Sequence, residues 1–224
     1  MRSFLLIAVL SLLAPTGSAL AASQEIEKKL EKTTPTVPRA IAIKAASKAP
    51  ARLKLDNFED SMASQEGGMW WSGCDANKMG TTLAPAPFAT SEGGAPKSPG
   101  HAGRIHGHLG ANSAPWAWAA LSLTLKHNDL SAYKTLELWV KGDGQAYTVR
   151  LQKKGLVEAE NYAAIFVAPK EWTKLKISFE SFKQPDWATK KVEPEFDDVE
   201  KLAFYPMSFD GDYDLSVDEL SVVR

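Results

Sequence analysis

The sequence predicts an all-β domain, an antiparallel β-sandwich that occupies residues 52–224. Three observations favour this fold class. Short runs of alternating apolar and polar residues recur along the chain, Gly, Pro, Asn and Asp cluster between them, and no convincing amphipathic helix separates them. Because a parallel sheet needs crossover helices, the sheets are predicted to be antiparallel and packed face to face.

Two segments precede this domain. Residues 1–21 carry Arg2, an apolar run and small residues up to Ala21, which is the pattern of a secretory signal peptide. Residues 22–51 are rich in Ala, Lys, Thr and Pro and lack a sustained apolar face, so they are predicted to form a flexible basic linker. No apolar run reaches the roughly 18 residues of a membrane helix. We therefore expect an exported protein, periplasmic or extracellular, without a membrane span.

Nine candidate strands follow one another in the domain. They are 52–58, 102–110, 116–125, 134–141, 145–152, 161–168, 172–179, 201–207 and 213–223. The Gly-Asp-Gly at 142–144 predicts a tight reversal, and hence a hairpin of the strands on either side, because glycine adopts positive φ without strain. Residues 77–100 are rich in Gly, Pro, Ala, Ser and Thr and are predicted to form a long loop, either functional or mobile.

Alternation within the strands separates an apolar set of side chains from a mixed set. The apolar set is predicted to fill the space between two sheets. The mixed set combines charged side chains with four of the seven tryptophans, which are Trp116, Trp118, Trp139 and Trp172. Indole rings beside carboxylate, guanidinium and amide groups suit a sugar, which offers an apolar C–H face and hydroxyls. Alternatively, these tryptophans anchor the 77–100 loop.

From the mixed set we predict a glycan-binding face. Its residues are Trp118, Glu137, Trp139, Arg150 and Gln152. An interaction with another envelope protein through the same aromatic face is the alternative. The formal net charge of −1 gives no footprint for nucleic acid. The chain has no nucleophile elbow, phosphate-binding glycine loop or metalloprotease helix, and Glu137 lacks the second carboxylate of a glycosidase, so no enzymatic activity is expected.

Three groups of residues are candidates for a metal site. His106 and His108 project from one side of a strand, but no third ligand stands at a recognised spacing. The FDGDYD stretch (209–214) has aspartates at alternate positions yet lacks the glycine and final glutamate of an EF-hand loop. A structural calcium ion is conceivable where the first and last strands meet, with the ligands Asp56, Glu59 and Asp218. No other cofactor is predicted, and Cys74 is alone and cannot form an internal disulfide.

Four stretches of the chain resemble a known family. They are DNFED (56–60), SAYKTLELWVKGDGQAYTVRLQ (131–152), NYAAIFVAPKEWTKLKISFESF (161–182) and YDLSVDELSVV (213–223). In order and spacing they are similar to the complex I intermediate-associated protein family and to family-eleven carbohydrate-binding modules, over roughly residues 53–224. Both belong to the galactose-binding-like jelly-roll sandwiches.

The resemblance implies a non-catalytic jelly roll that either binds glycans on a concave sheet face or acts in protein assembly. A signal peptide would give the chain partners that differ from those of the mitochondrial assembly factors. The segment SGCDANKMG (72–80) also matches the glycine-rich segment of the assembly factors only loosely. The preferred interpretation is a free-standing exported glycan-binding protein, and an assembly or protein-interaction module is the alternative.

Overall fold

The computed structural model of the protein describes residues 49–60, 63–75, 81, 84–98, 100–110, 117–207 and 210–224. The predicted signal peptide and the predicted linker up to residue 48 lie outside these residues, as do Trp116 and part of the FDGDYD stretch. Within the described residues, no helix is long and apolar enough to cross a membrane.

Eleven strands make up most of the regular structure in the described part of the chain. They are β1 (Arg52–Asp56), β2 (Met69–Cys74), β3 (Ala84–Glu92), β4 (His101–Leu109), β5 (Ala119–Thr124), β6 (Thr135–Gly142), β7 (Ala146–Lys153), β8 (Tyr162–Val167), β9 (Thr173–Ser178), β10 (Val199–Pro206) and β11 (Gly211–Val223). Short 3-10 helices cover Glu158–Glu160 and Phe179–Ser181. All pairings between these strands are antiparallel, which confirms the predicted fold class.

The strands form two sheets. One has six strands in the order β3-β4-β11-β6-β9, and β1 also pairs with β11. Its longest strand, β11, pairs along one edge with β4 over Gly211–Val217 and then with β1 over Leu220–Val223. The second sheet has five strands in the order β2-β5-β10-β7-β8. The expected meeting of the first and last strands is therefore confirmed.

The core lies between the sheets and is filled by the predicted apolar set. Leu136, Leu138 and Val140 of β6 are fully buried, and so are Leu121 and Leu123 of β5 in the other sheet. Burial of each of these side chains contributes roughly 2 kcal/mol to stability. Because these residues alternate with outward-facing ones, the core fixes the register of every strand that supplies them.

The Gly-Asp-Gly reversal does not form the predicted hairpin. β6 pairs with β9 and β11, whereas β7 pairs with β8 and β10, so the turn carries the chain from one sheet to the other. The N–H groups of Gly142 and Gly144 donate to Pro169 and Ala168, in the segment between β8 and β9. Gly144 has a φ of 89°, as the turn chemistry predicted. Asp143 accepts hydrogen bonds from Gln145 N–H (2.8 Å) and Tyr147 O–H (2.9 Å).

Two strands are absent from the sequence prediction. β3 lies inside the stretch predicted to be a loop, so that prediction is wrong for residues 84–92. It pairs with β4 alone among the described strands, and an edge strand tolerates prolines such as Pro85 and Pro87 because one row of its N–H groups needs no partner. β2 is the corresponding edge of the five-stranded sheet and contains Trp70, which is buried in the core.

Candidate functional site

The five residues predicted to bind a glycan lie on two different faces. Glu137 and Trp139 belong to β6, on the outer face of the six-stranded sheet. Arg150 and Gln152 belong to β7, on the outer face of the five-stranded sheet, and Trp118 directly precedes β5 of that sheet. The prediction of one shared face is therefore wrong. Alternation distinguishes inward from outward side chains, but it does not say which sheet a strand joins.

Glu137 is the centre of a closed ionic cluster. Its carboxylate accepts hydrogen bonds from Arg52 (2.7 Å) and Lys174 (2.9 Å) and lies 3.1 Å from the Lys176 ammonium. These cations, Lys174 and Arg52 foremost, lower the pKa of Glu137 to about 2. The side chain is only 7% exposed. Glu137 is thus ionised and fully engaged within the protein.

The neighbouring Trp139 lies beside a covered part of the same face. On the adjacent strand β11, Trp139 is paired with Asp218, which is fully buried. Asp218 accepts hydrogen bonds from the N–H groups of Ala95 (2.8 Å) and Glu219 (2.7 Å). Burial raises the pKa of Asp218 to about 6, although these hydrogen bonds oppose the shift. The segment 93–98 therefore folds over this face, and its anchor is Asp218.

Two further charged pairs lie on the six-stranded sheet. Arg104 donates two hydrogen bonds to Asp214, at 2.7 and 2.6 Å. His108 Nδ1 lies 2.9 Å from the Asp212 carboxylate. Among the described residues, no group of three or more His, Cys, Asp or Glu side chains is placed to hold a metal ion. The histidine pair considered for a metal is thus not completed by a third ligand there.

The predicted calcium ligands are not brought together into one site. Asp56 is buried and accepts hydrogen bonds from the Trp70 indole and from two backbone N–H groups. Glu59 accepts a hydrogen bond from the N–H of His101 (3.0 Å), while Asp218 binds the 93–98 segment. The sequence correctly placed Asp56 and Asp218 on adjoining terminal strands, but each carboxylate serves a separate set of donors. The predicted calcium set is therefore not assembled.

The outer face of the five-stranded sheet has a different character. A row of side chains crosses it from Trp71 on β2 through Ser122 on β5 and Ala203 on β10 to Arg150 on β7. Three strand spacings separate the ends of this row, which is about 14 Å. Ser122 and Ala203 in the middle of the row are buried, so an extended ligand lying across the strands would contact the row at its two ends, Trp71 and Arg150.

Two tryptophans occupy one end of this face. Trp118 is 39% exposed. Its ring and that of Trp71 both lie against Gly73, where an added Cβ atom would approach Trp71 to 3.1 Å and Trp118 to 3.5 Å. The Lys201 ammonium lies 4.9 Å from the Trp71 ring centroid. Because Lys201 covers Trp71, Trp118 is the indole that is open for stacking.

A second aromatic residue lies near the centre of the face. Tyr205 on β10 is paired with Thr148 on β7, and the Arg150 guanidinium lies 4.3 Å from the centroid of the Tyr205 ring. The Tyr205 hydroxyl donates to Glu158 (2.9 Å), whose carboxylate also lies 3.4 Å from the Lys201 ammonium. Burial, together with the nearby Glu158 carboxylate, raises the pKa of Tyr205. Tyr205 is therefore held as a neutral, fixed platform beneath Arg150.

Several polar atoms of this face are buried without a hydrogen-bond partner in the described part of the chain. They include Ser122 Oγ, Thr148 Oγ1 and Gln152 Oε1. Ser122 is fully buried and Thr148 is 7% exposed. An unpaired buried polar group costs about 1–3 kcal/mol, so such groups mark a place where a ligand or ordered water completes the bonding.

A cleft adjoins the face on the side of Gln152. Its volume is about 450 Å³. The lining residues are Thr124, Leu125, Asn128, Gln152, Glu200 and Lys201. It begins at the end of the face where Lys201 and Gln152 pair across the strands, so a ligand on the face would extend into it.

The sequence analysis missed two residues of this face. Tyr205 could have been found from the alternation of β10, in which Leu202 and Phe204 are buried and Tyr205 has the opposite parity. Trp71 follows the core residue Trp70, and the pair carries no alternating neighbours that would reveal a strand. Of the residues predicted, Trp118, Arg150 and Gln152 are brought to this face.

The fold is that of solved carbohydrate-binding modules. A family 11 carbohydrate-binding module from Clostridium thermocellum, in complex with a β-1,3-1,4-mixed-linked tetrasaccharide, has a TM-score of 0.55 at 15% identity, covering 77% of this chain and 95% of that one. The family 11 module of a cellulosomal cellulase of the same organism gives 0.56 at 14%, covering 77% and 94%. A family 30 module of another C. thermocellum cellulosomal cellulase gives 0.52 at 14%, covering 77% and 96%.

The amino-acid sequence gives a second and independent match. No curated protein matches the sequence. The model of the family described as complex I intermediate-associated protein 30 matches residues 62–217, which span nearly all strands of both sheets. The chain therefore belongs to the complex I intermediate-associated protein 30 (CIA30) family and has the jelly-roll fold that this family shares with carbohydrate-binding modules.

Proposed function

We propose that this protein is an exported, non-catalytic carbohydrate-binding protein whose ligand lies on the outer face of the five-stranded sheet. Export is inferred from the predicted signal peptide at residues 1–21. Trp118 stacks on a sugar ring, while Thr148 and Gln152 bind its hydroxyl groups.

One observation carries this proposal. Exposed aromatic surface at Trp118 stands on the same face as the buried hydroxyls of Ser122 and Thr148, which have no partner among the described residues. A sugar supplies what both lack, because its C–H face packs against an indole and its hydroxyls donate and accept hydrogen bonds. A purely apolar partner would leave the hydroxyls unpaired.

The role as a binding protein and not an enzyme is supported by the chemistry of the face. Its free polar groups are hydroxyls, an amide and a guanidinium, which bind ligands but are not the acid and base of a glycosidase. The Glu158 carboxylate beside it is bonded to Tyr205 and Lys201. The similar modules of families 11 and 30 are likewise named for carbohydrate binding.

A second candidate function is a protein-interaction module that assists assembly of an envelope complex. The family match favours it, because the family is named for association with a complex I intermediate. Such a module would use the same exposed aromatic residues to contact a protein. The two functions differ in ligand, so direct binding measurements separate them.

Affinity electrophoresis of the mature chain on soluble polysaccharides tests the proposal. The panel includes neutral β-glucans, xylan, mannan and polyuronates. We expect at least one polysaccharide to retard the wild type, and Trp118→Ala to weaken this retardation at least about tenfold, since loss of an aromatic platform removes 1–3 kcal/mol.

Two variants serve as matched controls. Trp187→Ala removes an indole that is 63% exposed in the segment between β9 and β10, and Trp139→Ala removes one from the opposite face. Both should bind as the wild type does. Binding that depends on Trp139 and not on Trp118 would overturn the assigned face. A wild type that binds no polysaccharide but captures an envelope protein would overturn the function in favour of the second candidate.

A further inference from the structure

The chemical class of the glycan is indicated by Arg150, which stands near the centre of the proposed binding face. Its neighbours across the two adjacent strands are Ala203 on β10 and Ala163 on β8. Because both are small, they leave room beside the guanidinium, and Arg150 is half-buried. Arg150 is thus the cation that a ligand on this face would meet.

The guanidinium is held in place by stacking and not by a counter-charge. It lies 4.3 Å from the ring centroid of Tyr205, and the Tyr205 hydroxyl is itself fixed by Glu158 at 2.9 Å. Stacking restricts the long side chain while its N–H groups stay available at the edge of the plane. The entropy cost of ordering this arginine is therefore met largely before any ligand binds.

Two other cations near this face have carboxylate partners. The Lys201 ammonium lies 3.4 Å from Glu158, and Lys153 is paired with Asp197. Arg150 forms no hydrogen bond or ion pair with another residue in the described part of the chain. The guanidinium of Arg150 is therefore a positive charge without a carboxylate partner in the described part of the chain, and stacking holds it in position.

Arg104 on the six-stranded sheet shows what a paired guanidinium looks like in the same protein. Its fork donates two hydrogen bonds to Asp214, at 2.7 and 2.6 Å. This bidentate geometry with a carboxylate is the strongest arrangement available to arginine. Arg150 has the same fork without the carboxylate.

We propose that the glycan is acidic, and that Arg150 binds the carboxylate of a uronic acid residue in it. This inference rests on the proposed glycan-binding function and specifies its ligand. A glycan that contains uronic acids combines, on successive sugar residues, the three groups that the face can bind: a carboxylate for Arg150, ring hydroxyls for Thr148, two residues away on the same strand, and a C–H face for Trp118. A neutral sugar would leave the guanidinium uncompensated.

The test compares two forms of one polymer with a sulfated galactan. Isothermal titration calorimetry measures how tightly the mature chain binds three polymers. They are polygalacturonate, the same polymer after reduction of its carboxyl groups to alcohols, and a galactan that carries sulfate groups in place of carboxylates. We expect the wild type to bind the polyuronate about 10–100-fold more tightly than the reduced polymer, which is the effect of one charge-assisted bidentate contact. Alginate, which contains different uronic acids, extends the comparison.

Variants assign this preference to the guanidinium. Arg150→Gln should abolish the preference for the polyuronate, and Arg150→Lys should restore part of it because the charge returns without the fork. Arg104→Gln removes the same charge from the opposite face and should leave the preference unchanged.

The outcomes separate this inference from the proposed function. If the wild type binds the reduced polymer as well as the polyuronate, and Trp118→Ala abolishes both, the face binds glycans but the acidic ligand is wrong. A preference for the sulfated galactan over the polyuronate would likewise overturn the carboxylate. If no polysaccharide binds at all, the proposed function itself fails.

Discussion

The outer faces of the two sheets carry similar kinds of residues, but they differ in whether the polar side chains have hydrogen-bond or ion-pair partners. On the six-stranded sheet, Glu137 is surrounded by three cations, Arg104 is paired with Asp214, and Asp218 is buried beneath the 93–98 segment. On the five-stranded sheet, the hydroxyls of Ser122 and Thr148 and the guanidinium of Arg150 have no such partners among the described residues. Both faces contain tryptophan.

The state of the polar groups, more than the presence of aromatic residues, therefore separates a structural face from a binding face. A satisfied network stabilises the fold, and a ligand would have to disrupt it in order to bind. An unsatisfied set costs stability, which a ligand restores on binding. Stability and ligand binding, measured separately for variants of each face, test this distinction.

The largest effect is expected from the pH dependence of Asp218. In the folded protein its pKa is about 6, above the ordinary value of 3.8, so between these values the folded state holds a proton that the unfolded state has lost. Stability from this group is present below about pH 3.8 and is lost as the pH rises through 6. At 1.36 kcal/mol per pKa unit, the loss is roughly 2–3 kcal/mol.

Urea unfolding of the wild type and of Asp218→Asn between pH 4 and pH 7 measures this loss. Between the two pH values the wild type should lose stability relative to the variant, which does not titrate. A constant difference across this range would mean that the 93–98 segment does not seal Asp218 from water, and the six-stranded face would no longer count as closed.

Glu137→Ala is expected to lower the free energy of unfolding by about 2 kcal/mol. It removes the shared partner of Arg52, Lys174 and Lys176, and the three cations then repel one another. The pKa of Glu137 is about 2, so this stabilisation is present above the ordinary Glu value of 4.5 and is lost as the pH falls through 2. Urea unfolding at pH 7 gives the loss, and glycan binding should be retained.

Glu171→Ala, at an exposed position next to β9, is the control and should change stability by less than about 0.5 kcal/mol. If Glu137→Ala proved as mild as this control but abolished glycan binding, the roles assigned to the two faces would be exchanged.

The fold was largely predictable because each strand carries its own signal. Leu136, Leu138 and Val140 are spaced two apart, and burial of one side chain of such a series requires burial of the others. The adjoining terminal strands also followed from the general architecture of a sandwich. β3 escaped prediction because prolines and small residues obscure its alternation, and an edge strand has less need of it.

The binding site was only partly predictable, since it depends on pairings between distant strands. The turn at Gly142–Gly144 fixes a reversal of the chain, but whether β7 continues the sheet of β6 depends on β10 and β8, which come later in the sequence. Without that information, the assumption of a hairpin assigns Trp139 and Arg150 to the same face. The unpaired state of Thr148 and Arg150 depends on their three-dimensional surroundings and leaves no mark in the sequence.

The smallest change in stability is expected from Thr148→Val, and here the sign of the change matters more than its size. The variant replaces a buried hydroxyl that has no partner among the described residues with a methyl group of similar shape, so stability should rise by about 0.5–1 kcal/mol. In a domain of this size the melting temperature would increase by roughly 1–4 °C. Glycan affinity should fall at the same time, because the ligand loses its hydrogen bond to this hydroxyl.

The control is Thr173→Val on β9. The Thr173 hydroxyl donates to the Glu171 carbonyl at 3.0 Å, so this variant should lower the melting temperature without changing glycan affinity. Differential scanning calorimetry with and without glycan distinguishes the two. If Thr148→Val destabilised the protein as Thr173→Val does, its hydroxyl would have a partner in the free protein, and the argument that the five-stranded face is left unsatisfied for a ligand would fail.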